Sequence, residues 1–331
     1  MYTLQPVHAA SAAHSFYVRI KLQATIKTVL RRTILYLSRH KALRNWVETS
    51  PSARRLSSRF IAGSQLEDAL EVCRKIRADG ITATLDYLGE NVKSLDEAAA
   101  CRDTYLRMLH AMQAAGVEPN VSLKLTQFGL ELSESACEEN VAALVKTAAA
   151  IGGFVRIDME SSQYTDRTLS LVTRLHRQYG ACGTVIQAYL RRSVRDVEFL
   201  DKERIRVRLA KGAYLEPPEV AFPGKAQVDR NYLELARSLL TAGEYPAIAT
   251  HDEQIIGALE KFAADRAIAR DRFEFQMLYG IRRDLQRRLV REGYRLRLYI
   301  PFGDAWYPYF MRRLAERPAN LLFFVRQLLR S

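Results

Sequence analysis

The 331-residue sequence contains few cysteines and no recognisable metal-binding pattern. Its four cysteines, Cys73, Cys101, Cys137 and Cys182, are widely spaced and form no CxxC pair. The six histidines form no HExxH motif. Such spacing supports neither a zinc site nor a disulfide framework, so we predict a protein without a metal that folds in the reducing cytoplasm.

Acidic residues are absent from the first part of the chain, where no Asp or Glu precedes Glu48. The whole sequence carries a net charge of +13, and eight basic residues lie before that position. The run TVLRRTILYLSRHKALRNWV, residues 28–47, has apolar and basic residues at roughly helical spacing, as in a basic amphipathic helix or helix pair. Two interpretations stay open. The segment packs against the main domain, which we favour, or it contacts the inner face of a membrane.

Long apolar runs are also missing. A transmembrane helix needs about 20 consecutive apolar residues, and no run approaches that length. Arg19 and Lys21 would interrupt the apolar core of a secretory signal, so none is expected. We predict a basic helical segment over residues 1–75, packed on a catalytic domain over residues 76–331.

From about residue 80 onward, short β-branched or apolar runs alternate with longer segments of helical periodicity. This alternation indicates parallel strands joined by crossover helices. Eight strands favour an α/β fold of the closed (βα)8 TIM type over an open doubly wound sheet, and no GxGxxG follows the first strand. The predicted strands are 81–89, 120–129, 154–160, 183–190, 205–214, 247–252, 273–280 and 295–303.

Polar residues end most of these strands, and in barrels of this type the chemistry lies at the carboxyl ends of the strands. A solvated rim would also be polar. Lys124 and Arg208, however, lie among apolar neighbours within strands, where a charge must be paired or bound to a ligand. The strand-end residues are Asp86, Glu90, Lys124, Asp158, Glu160, Gln187, Arg208, Lys211, Thr250, His251, Asp252, Gln276 and Tyr299.

The candidate site is rich in cations and aromatic side chains, which suits an anionic ligand with an apolar part. It shows no carboxylate pair typical of glycosidases and no GxSxG nucleophile motif. Sites that lack an evident acid–base pair often leave the difficult step to an organic cofactor. The cations are Lys124, Arg208, Lys211, Arg312 and Arg313.

Five motifs resemble those of the proline dehydrogenase family in its short, single-function bacterial form. They are QAYLRRSVRD (187–196), RLAKGAYLEP (208–217), ATHD (249–252), FEFQMLYGIR (273–282) and YFMRR (309–313). The resemblance extends from LRRTILYLSR (30–39) to the C-terminus. Ala210 departs from the family pattern, which usually has Val at that position.

The resemblance implies a distorted (βα)8 barrel with N-terminal helices, a final helix carrying the arginine pair, and non-covalently bound FAD. The implied reaction is oxidation of L-proline to 1-pyrroline-5-carboxylate, the first step of proline catabolism to glutamate. Hydride would pass to the flavin, and electrons would then pass to a membrane quinone. Preference between proline and hydroxyproline, the oligomeric state and the identity of the quinone stay open.

The resemblance also implies roles at the substrate side of the site. Arg312, Arg313 and Lys124 would bind the substrate carboxylate, with the arginines as a bidentate fork. In a helix, Tyr309 lies on the same side as residues three and four positions later, which are the two arginines. Tyr214, Leu278, Tyr299 and Tyr309 would enclose the apolar ring.

The implied catalytic and cofactor residues follow from the same motifs. Asp158 would complete the site beside Lys124, and Arg208 would lie near the reacting flavin nitrogen. Glu90 would form a gating ion pair or stand as a solvated loop residue. The implied flavin contacts are Met159, Gln187, Arg208, Ala210, Lys211, Gly212, Thr250 and His251.

Less specific interpretations remain beside these roles. Asp158 could cap the following helix, His251 could be a hydrogen-bonded core histidine, and Met159 could serve packing alone. The alternative functions are another flavin-dependent barrel, similar to methylenetetrahydrofolate reductase, and a non-enzymatic binder of membranes or nucleic acid. We do not expect nucleic acid as a partner, because the sequence has no signature of a nucleic-acid-binding fold.

Overall fold

The computed structural model describes residues 58–89, 92–307 and 309–311. One compact unit spans Phe60–Asp304. The described residues on either side of it belong to a second unit. The basic segment 1–57, Glu90, Arg312 and Arg313 lie outside the described residues, so their predicted roles and the division at residue 75 stay predictions.

Eight parallel strands form a closed barrel in which each strand pairs with the next and β8 pairs with β1. The closed (βα)8 fold predicted from the sequence is thereby confirmed. All eight strands end earlier than predicted, the second and fifth by the most, because a 3-10 helix, Leu125–Phe128, follows β2 and residues 211–214 form a loop after β5. The strands are β1 (Thr82–Tyr87), β2 (Asn120–Leu123), β3 (Phe154–Ile157), β4 (Cys182–Gln187), β5 (Arg206–Ala210), β6 (Ala247–Ala249), β7 (Glu274–Leu278) and β8 (Arg295–Phe302).

Helices alternate with the strands along the chain. Serine and aspartate side chains cap several of their first turns: Ser94 accepts a hydrogen bond from Glu97 N at 3.2 Å, and Asp252 accepts one from Gln254 N at 3.2 Å. The helices are α1 (Leu66–Ala78), α2 (Leu95–Ala114), α3 (Glu134–Ala150), α4 (Thr165–Tyr179), α5 (Ser193–Lys202), α6 (Lys225–Ala242), α7 (Glu253–Asp265) and α8 (Arg283–Arg291), with a further 3-10 helix at Ser162–Tyr164. Within the described residues, no helix has the length and apolar character needed to cross a membrane.

The apolar core lies between the outer face of the strands and the surrounding helices. Helix α2 shows how the sequence builds it, since Tyr105, Met108, Leu109 and Met112 recur at the spacing of one helical face and are fully buried. The Tyr105 ring meets that of Phe128 edge to face at 5.4 Å between centroids. Packing of this face therefore fixes α2 against the 3-10 helix that follows β2.

The barrel interior, in contrast, is strongly polar. In β8, Leu296 and Leu298 belong to the apolar core, so the alternate residues Arg297 and Tyr299 face the opposite side, toward the barrel interior. Arg297 is buried and donates from Nε to Glu274 at 2.9 Å and from Nη2 to Glu118 at 3.0 Å. This ion pair lies at the amino ends of the strands.

The environment of this pair keeps both partners charged. Burial by itself would raise the pKa of Glu274, but Arg297, together with Gln276 and Arg156, more than offsets it and lowers that pKa below its usual value. Burial likewise works against the charged form of Arg297, while the two glutamates hold its pKa above the ordinary value. Removing Arg297 would leave the buried carboxylate of Glu274 without its ion-pair partner, whereas Arg297 would keep Glu118 if Glu274 were removed.

We expect Arg297→Met to lower the free energy of unfolding by about 3–5 kcal/mol, because Glu274 would then be buried without its cation. Chemical denaturation of the wild type and the variant measures the difference. Arg177→Met is the matched control, since the Arg177–Glu203 pair at 2.6 Å is solvent-exposed and should contribute little. A loss no larger than that of the control would contradict the assignment.

The same variant should respond to pH in a defined direction. In the wild type, the stabilising contribution of ionised Glu274 is present at neutral pH and is lost as the pH falls through its lowered pKa. In Arg297→Met the isolated buried carboxyl titrates at higher pH, so protonation relieves the penalty. The stability difference should therefore shrink from about pH 8 to about pH 5.5.

Candidate active site

The carboxyl ends of the strands bring five polar side chains into contact, as expected for a barrel of this type. Asp86 lies near the end of β1, Lys124 and Asp158 directly follow β2 and β3, Arg208 lies in β5 and Tyr299 in β8. These five residues, called here the charged network, are separated by up to 213 positions in the sequence. The fold alone makes them neighbours.

Lys124 is held by two carboxylates. Its Nζ lies 3.2 and 3.3 Å from the two carboxylate oxygens of Asp86, 3.8 Å from Asp158 Oδ2 and 3.4 Å from the Tyr299 hydroxyl. Burial would lower the pKa of Lys124, but Asp86 and Asp158 more than offset it and raise the pKa above its ordinary value. The Lys124 side chain is therefore a fixed cation at the barrel mouth, the end of the barrel formed by the carboxyl ends of the strands.

Asp158 connects Lys124 to Arg208. It accepts hydrogen bonds from Arg208 Nη1 at 2.8 Å and from the Tyr299 hydroxyl at 3.0 Å. The residue at the N-cap of the following 3-10 helix is Ser161, so the carboxylate of Asp158 is used within the network. Burial, with the carboxylates of Asp158 and Asp86, raises the pKa of Tyr299 well above its usual value, which keeps its hydroxyl protonated.

Arg208 crosses the barrel interior. Besides Asp158 it donates from Nη2 to Ser122 Oγ at 2.8 Å, and its guanidinium carbon lies 5.3 Å from the centroid of the Tyr299 ring. Its Nε is buried and has no hydrogen-bond partner among the described residues. Since buried donors are rarely left unpaired, this atom marks a place where a ligand or water would bind.

Sequence reasoning gave no role to several residues that support this site. Asp86 appeared only as a strand-end residue, yet it is the main counter-ion of Lys124. Ser122 and Tyr105 were missed: the Tyr105 hydroxyl donates to Ser122 O at 2.9 Å and to Asp86 Oδ1 at 3.4 Å. The available signal was alternation, because Ser122 and Lys124 are the polar positions two residues apart in NVSLKL.

The predicted flavin-binding residues lie at or just beyond the ends of β3 to β6. Gln187 donates from Nε2 to the backbone oxygens of Met159 at 3.4 Å and Glu160 at 2.8 Å, which ties the ends of β3 and β4 together. Lys211 Nζ is bound by Asp229 at 2.6 Å and Asp252 at 2.9 Å. The lysine is thus positioned by two carboxylates of the surrounding loops and helices.

The backbone after β5 needs glycine at one position. Gly212 has a φ of +112°, and a Cβ added there would lie 2.1 Å from Cδ1 of the Tyr189 ring. Tyr189 N in turn donates to Lys211 O at 2.9 Å. A side chain at position 212 would force Tyr189 away from this loop, and the flavin contact expected of Gly212 stays a prediction.

Thr250 and His251 shape the segment after β6. Thr250 Oγ1 accepts a hydrogen bond from Asp252 N at 3.1 Å. His251 Nε2 accepts one from Leu278 N at 2.9 Å, so this nitrogen is unprotonated and the ring proton lies on Nδ1. The half-buried histidine thus joins the ends of β6 and β7.

The residues predicted to form the apolar wall lie on several different parts of the chain. Leu278 and Tyr299 are register partners at the carboxyl ends of β7 and β8. Tyr214 is 40% exposed in the loop after β5. Tyr309 belongs to the second unit and is buried there; it comes two residues after the edge-to-face ring pair Trp306–Tyr307 in the sequence. Its place at a substrate site stays a prediction, as do those of Arg312, Arg313 and Glu90.

The donor groups of the site are suited to an organic cofactor. Among the residues that the structure describes, no group of three His, Cys, Asp or Glu side chains is arranged to hold a metal ion. Among the described residues, eight buried side-chain polar atoms have no hydrogen-bond partner, and three of them, Arg208 Nε, Gln276 Oε1 and the Tyr189 hydroxyl, lie on β5, β7 or the segment after β4. A large ligand with several hydrogen-bonding groups would satisfy such atoms.

Comparison with known proteins points in one direction. The family model described as "Proline dehydrogenase" matches residues 69–326. The chain is 44% identical to "Proline dehydrogenase" of Deinococcus radiodurans over 281 residues, which cover 83% of this chain and 91% of that protein. It is 38% identical to "Proline dehydrogenase 1" of Bacillus subtilis strain 168 over 92% of this chain and 100% of that protein.

Among solved structures, the proline utilization A protein PutA from Bdellovibrio bacteriovorus, inactivated by N-propargylglycine, matches with a TM-score of 0.75 and 29% identity. The match covers 80% of this chain and 33% of that one, so the chain corresponds to about a third of the longer protein. The recognition made from the motifs is confirmed, and the chain belongs to the proline dehydrogenase family.

Proposed function

We propose that this protein is an FAD-dependent proline dehydrogenase that oxidises L-proline to 1-pyrroline-5-carboxylate, the first step of proline catabolism to glutamate. The observation that carries the proposal is the fixed cation at the barrel mouth. Lys124 is held there by Asp86 and Asp158, and Asp158 also binds Arg208. Family membership supplies the reaction, and this cation is suited to a small carboxylate substrate.

Substrate binding needs a partner for the carboxylate and an apolar enclosure for the ring. Lys124 offers the described cation, and Arg312 with Arg313 would add a fork of parallel charge-assisted hydrogen bonds. Leu278 and Tyr299, adjacent across the β7–β8 pair, offer apolar surface for the pyrrolidine ring. Tyr214 and Tyr309 would complete the wall and limit access of water.

Asp158 and Arg208 would act together as the catalytic pair. Asp158 fixes the guanidinium of Arg208 through the 2.8 Å hydrogen bond, and Ser122 fixes its other end. Held in this way, the cation needs no reorganisation when negative charge develops beside it. Tyr299 remains a protonated donor to Asp158, which keeps that carboxylate in one orientation.

The residues at the ends of β3 to β6 would hold the cofactor. When bound, FAD would accept the hydride from the ring carbon beside the proline amine. Gly212 permits a close backbone approach, and Lys211, already positioned by Asp229 and Asp252, offers a cation for an anionic part of the cofactor. The remaining residues proposed to line it are Met159, Gln187, Ala210, Thr250 and His251.

We further propose a membrane quinone as the electron acceptor, with the protein in the cytoplasm in peripheral contact with the inner face of the membrane. Support comes from exposed apolar side chains. Of the six large ones found among the described residues, five lie in loops or first helical turns that follow strands, on the side of the barrel mouth. They are Leu95, Leu132, Val194, Tyr214 and Leu215, with Leu215 exposed to 72%.

The proposed reaction predicts a yellow protein with the absorption bands of an oxidised flavin, bleached by L-proline without oxygen and not bleached by NADH. Anaerobic spectroscopy of the purified protein measures both, and addition of a quinone should restore the colour. Hydroxyproline and pipecolate, tested alongside, define the substrate range. Bleaching by NADH alone would favour a methylenetetrahydrofolate reductase-like enzyme, and colourless protein that FAD does not reconstitute would overturn the proposal.

Asp86 is expected to act through Lys124. In Asp86→Asn the carboxylate that most strongly raises the pKa of Lys124 is lost, so that pKa should fall. We expect kcat/KM for proline to drop by about tenfold or more, and its alkaline limb to move to lower pH. Asp265→Asn, on an exposed helix end, is the control. Reduced activity with an unchanged pH profile would show a merely structural role for Asp86.

The arginine pair is expected to serve substrate rather than cofactor. Arg312→Met or Arg313→Met should weaken transition-state binding of proline by roughly 2–4 kcal/mol, because a charged hydrogen-bond partner is lost. The flavin content should stay near that of the wild type. Steady-state kinetics and the flavin-to-protein absorbance ratio measure the two effects, with Arg177→Met as the control. Equal loss of flavin in both variants would indicate a structural role.

A further inference from the structure

A cavity of about 390 Å³ opens at the amino ends of the strands, the end of the barrel opposite the charged network. Its charged and aromatic lining consists of Glu118, Arg206, Tyr245, Glu274, Arg295 and Arg297. Arg206, Glu274 and Arg295 are the first residues of β5, β7 and β8. The volume falls within the range of about 300–1,000 Å³ that is typical of ligand pockets.

Both glutamates that line this cavity form ion pairs with the same arginine. Arg297 contacts Glu274 at 2.9 Å and Glu118 at 3.0 Å. Gln276 Nε2 donates a further hydrogen bond to Glu274 Oε1 at 2.5 Å. The acidic groups of the lining are thus bound to Arg297, while Arg206 and Arg295 are solvent-exposed and Arg295 donates from Nη1 to the Tyr245 hydroxyl at 3.3 Å.

Arg206 and Arg295 lie against the same aromatic ring. Their guanidinium carbons are 5.4 and 5.6 Å from the centroid of Tyr245. Within the described part of the chain, Arg206 has no carboxylate within 4.0 Å, and Arg295 has only Asp271, at 4.0 Å. Two like charges near one ring repel each other, and an anion bound beside both would relieve that repulsion.

A buried arginine adds positive charge beside this cavity. Arg156 is 4% exposed and donates from Nη1 to the backbone oxygens of Arg206 at 2.6 Å and Thr184 at 3.0 Å. Its guanidinium and that of Arg206 lie 4.8 and 5.2 Å from the Phe154 ring centroid. No carboxylate of the described residues forms an ion pair with it. Burial, then the charge of Arg208, lowers its pKa well below the ordinary value.

We propose that this cavity binds a small oxyanion, a phosphate or a carboxylate, with Arg206 and Arg295 as its direct contacts. Guanidinium groups offer paired N–H donors that match two oxygens of either anion. The positive charge of Arg156 next to the cavity favours the same sign of ligand. Since the cavity lies at the opposite end of the barrel from the proposed catalytic residues, its occupant would stabilise the fold without competing with proline.

The test is thermal unfolding of the full-length, flavin-loaded protein in inorganic phosphate, succinate or chloride at constant ionic strength. Phosphate, succinate or both should raise Tm saturably, while chloride should not. Arg206→Gln and Arg295→Gln should each raise the midpoint concentration about tenfold or more, as expected for a lost charged hydrogen bond. Arg177→Gln, an exposed arginine outside the cavity, should leave the midpoint unchanged.

The two oxyanions distinguish the ligand class. A response to phosphate alone assigns a phosphate site, and a response to succinate alone assigns a carboxylate site. The KM for proline should be the same in the presence of either anion. A rise in Tm that does not saturate, or that persists in both Arg206→Gln and Arg295→Gln, would overturn the proposal, because it would reflect general salt effects or binding at the barrel mouth. If one variant fails to fold, the other decides.

Discussion

Charge compensation inside the barrel is the constraint on which the rest of this structure depends. A parallel barrel normally fills its interior with apolar side chains, yet here Arg156, Arg208, Glu274 and Arg297 are all at most 5% exposed. Each such charge loses its hydration; ion pairs offset that loss for Arg208, Glu274 and Arg297, while Arg156 is bound by backbone oxygens. The interior is therefore organised as two ionic groups, one at each end of the strands, rather than as an apolar core.

The two ionic groups differ in the surroundings of their central cation. At the amino end, Arg297 is enclosed by Glu274 and Glu118, so that group serves stability. At the carboxyl end, Lys124 shares two carboxylates with the rest of the charged network and stays a cation facing the barrel mouth. Because its counter-ions are themselves held by other residues, the position of this cation is set before any ligand arrives.

Much of the fold could be predicted from the sequence. The eight strands were found because β-branched runs bounded by helical segments repeat along the chain, and the motifs identified the family. The position of Lys124 at a strand end also followed from the pattern. The support for these residues could not be predicted: Asp86, Ser122 and Tyr105 are ordinary residue types at ordinary positions, and they gain meaning only from what they contact.

The sequence by itself thus determined the order of elements, the side of the barrel on which chemistry would lie, and the residue types available there. The tertiary structure alone decided which charges pair. Asp158 meets Arg208 fifty positions away and Tyr299 at a separation of 141. Such contacts depend on the register of the closed barrel, which is set by all eight strands together. The local sequence pattern indicates which face of a strand a side chain occupies. Only closure of the barrel brings side chains of distant strands into contact.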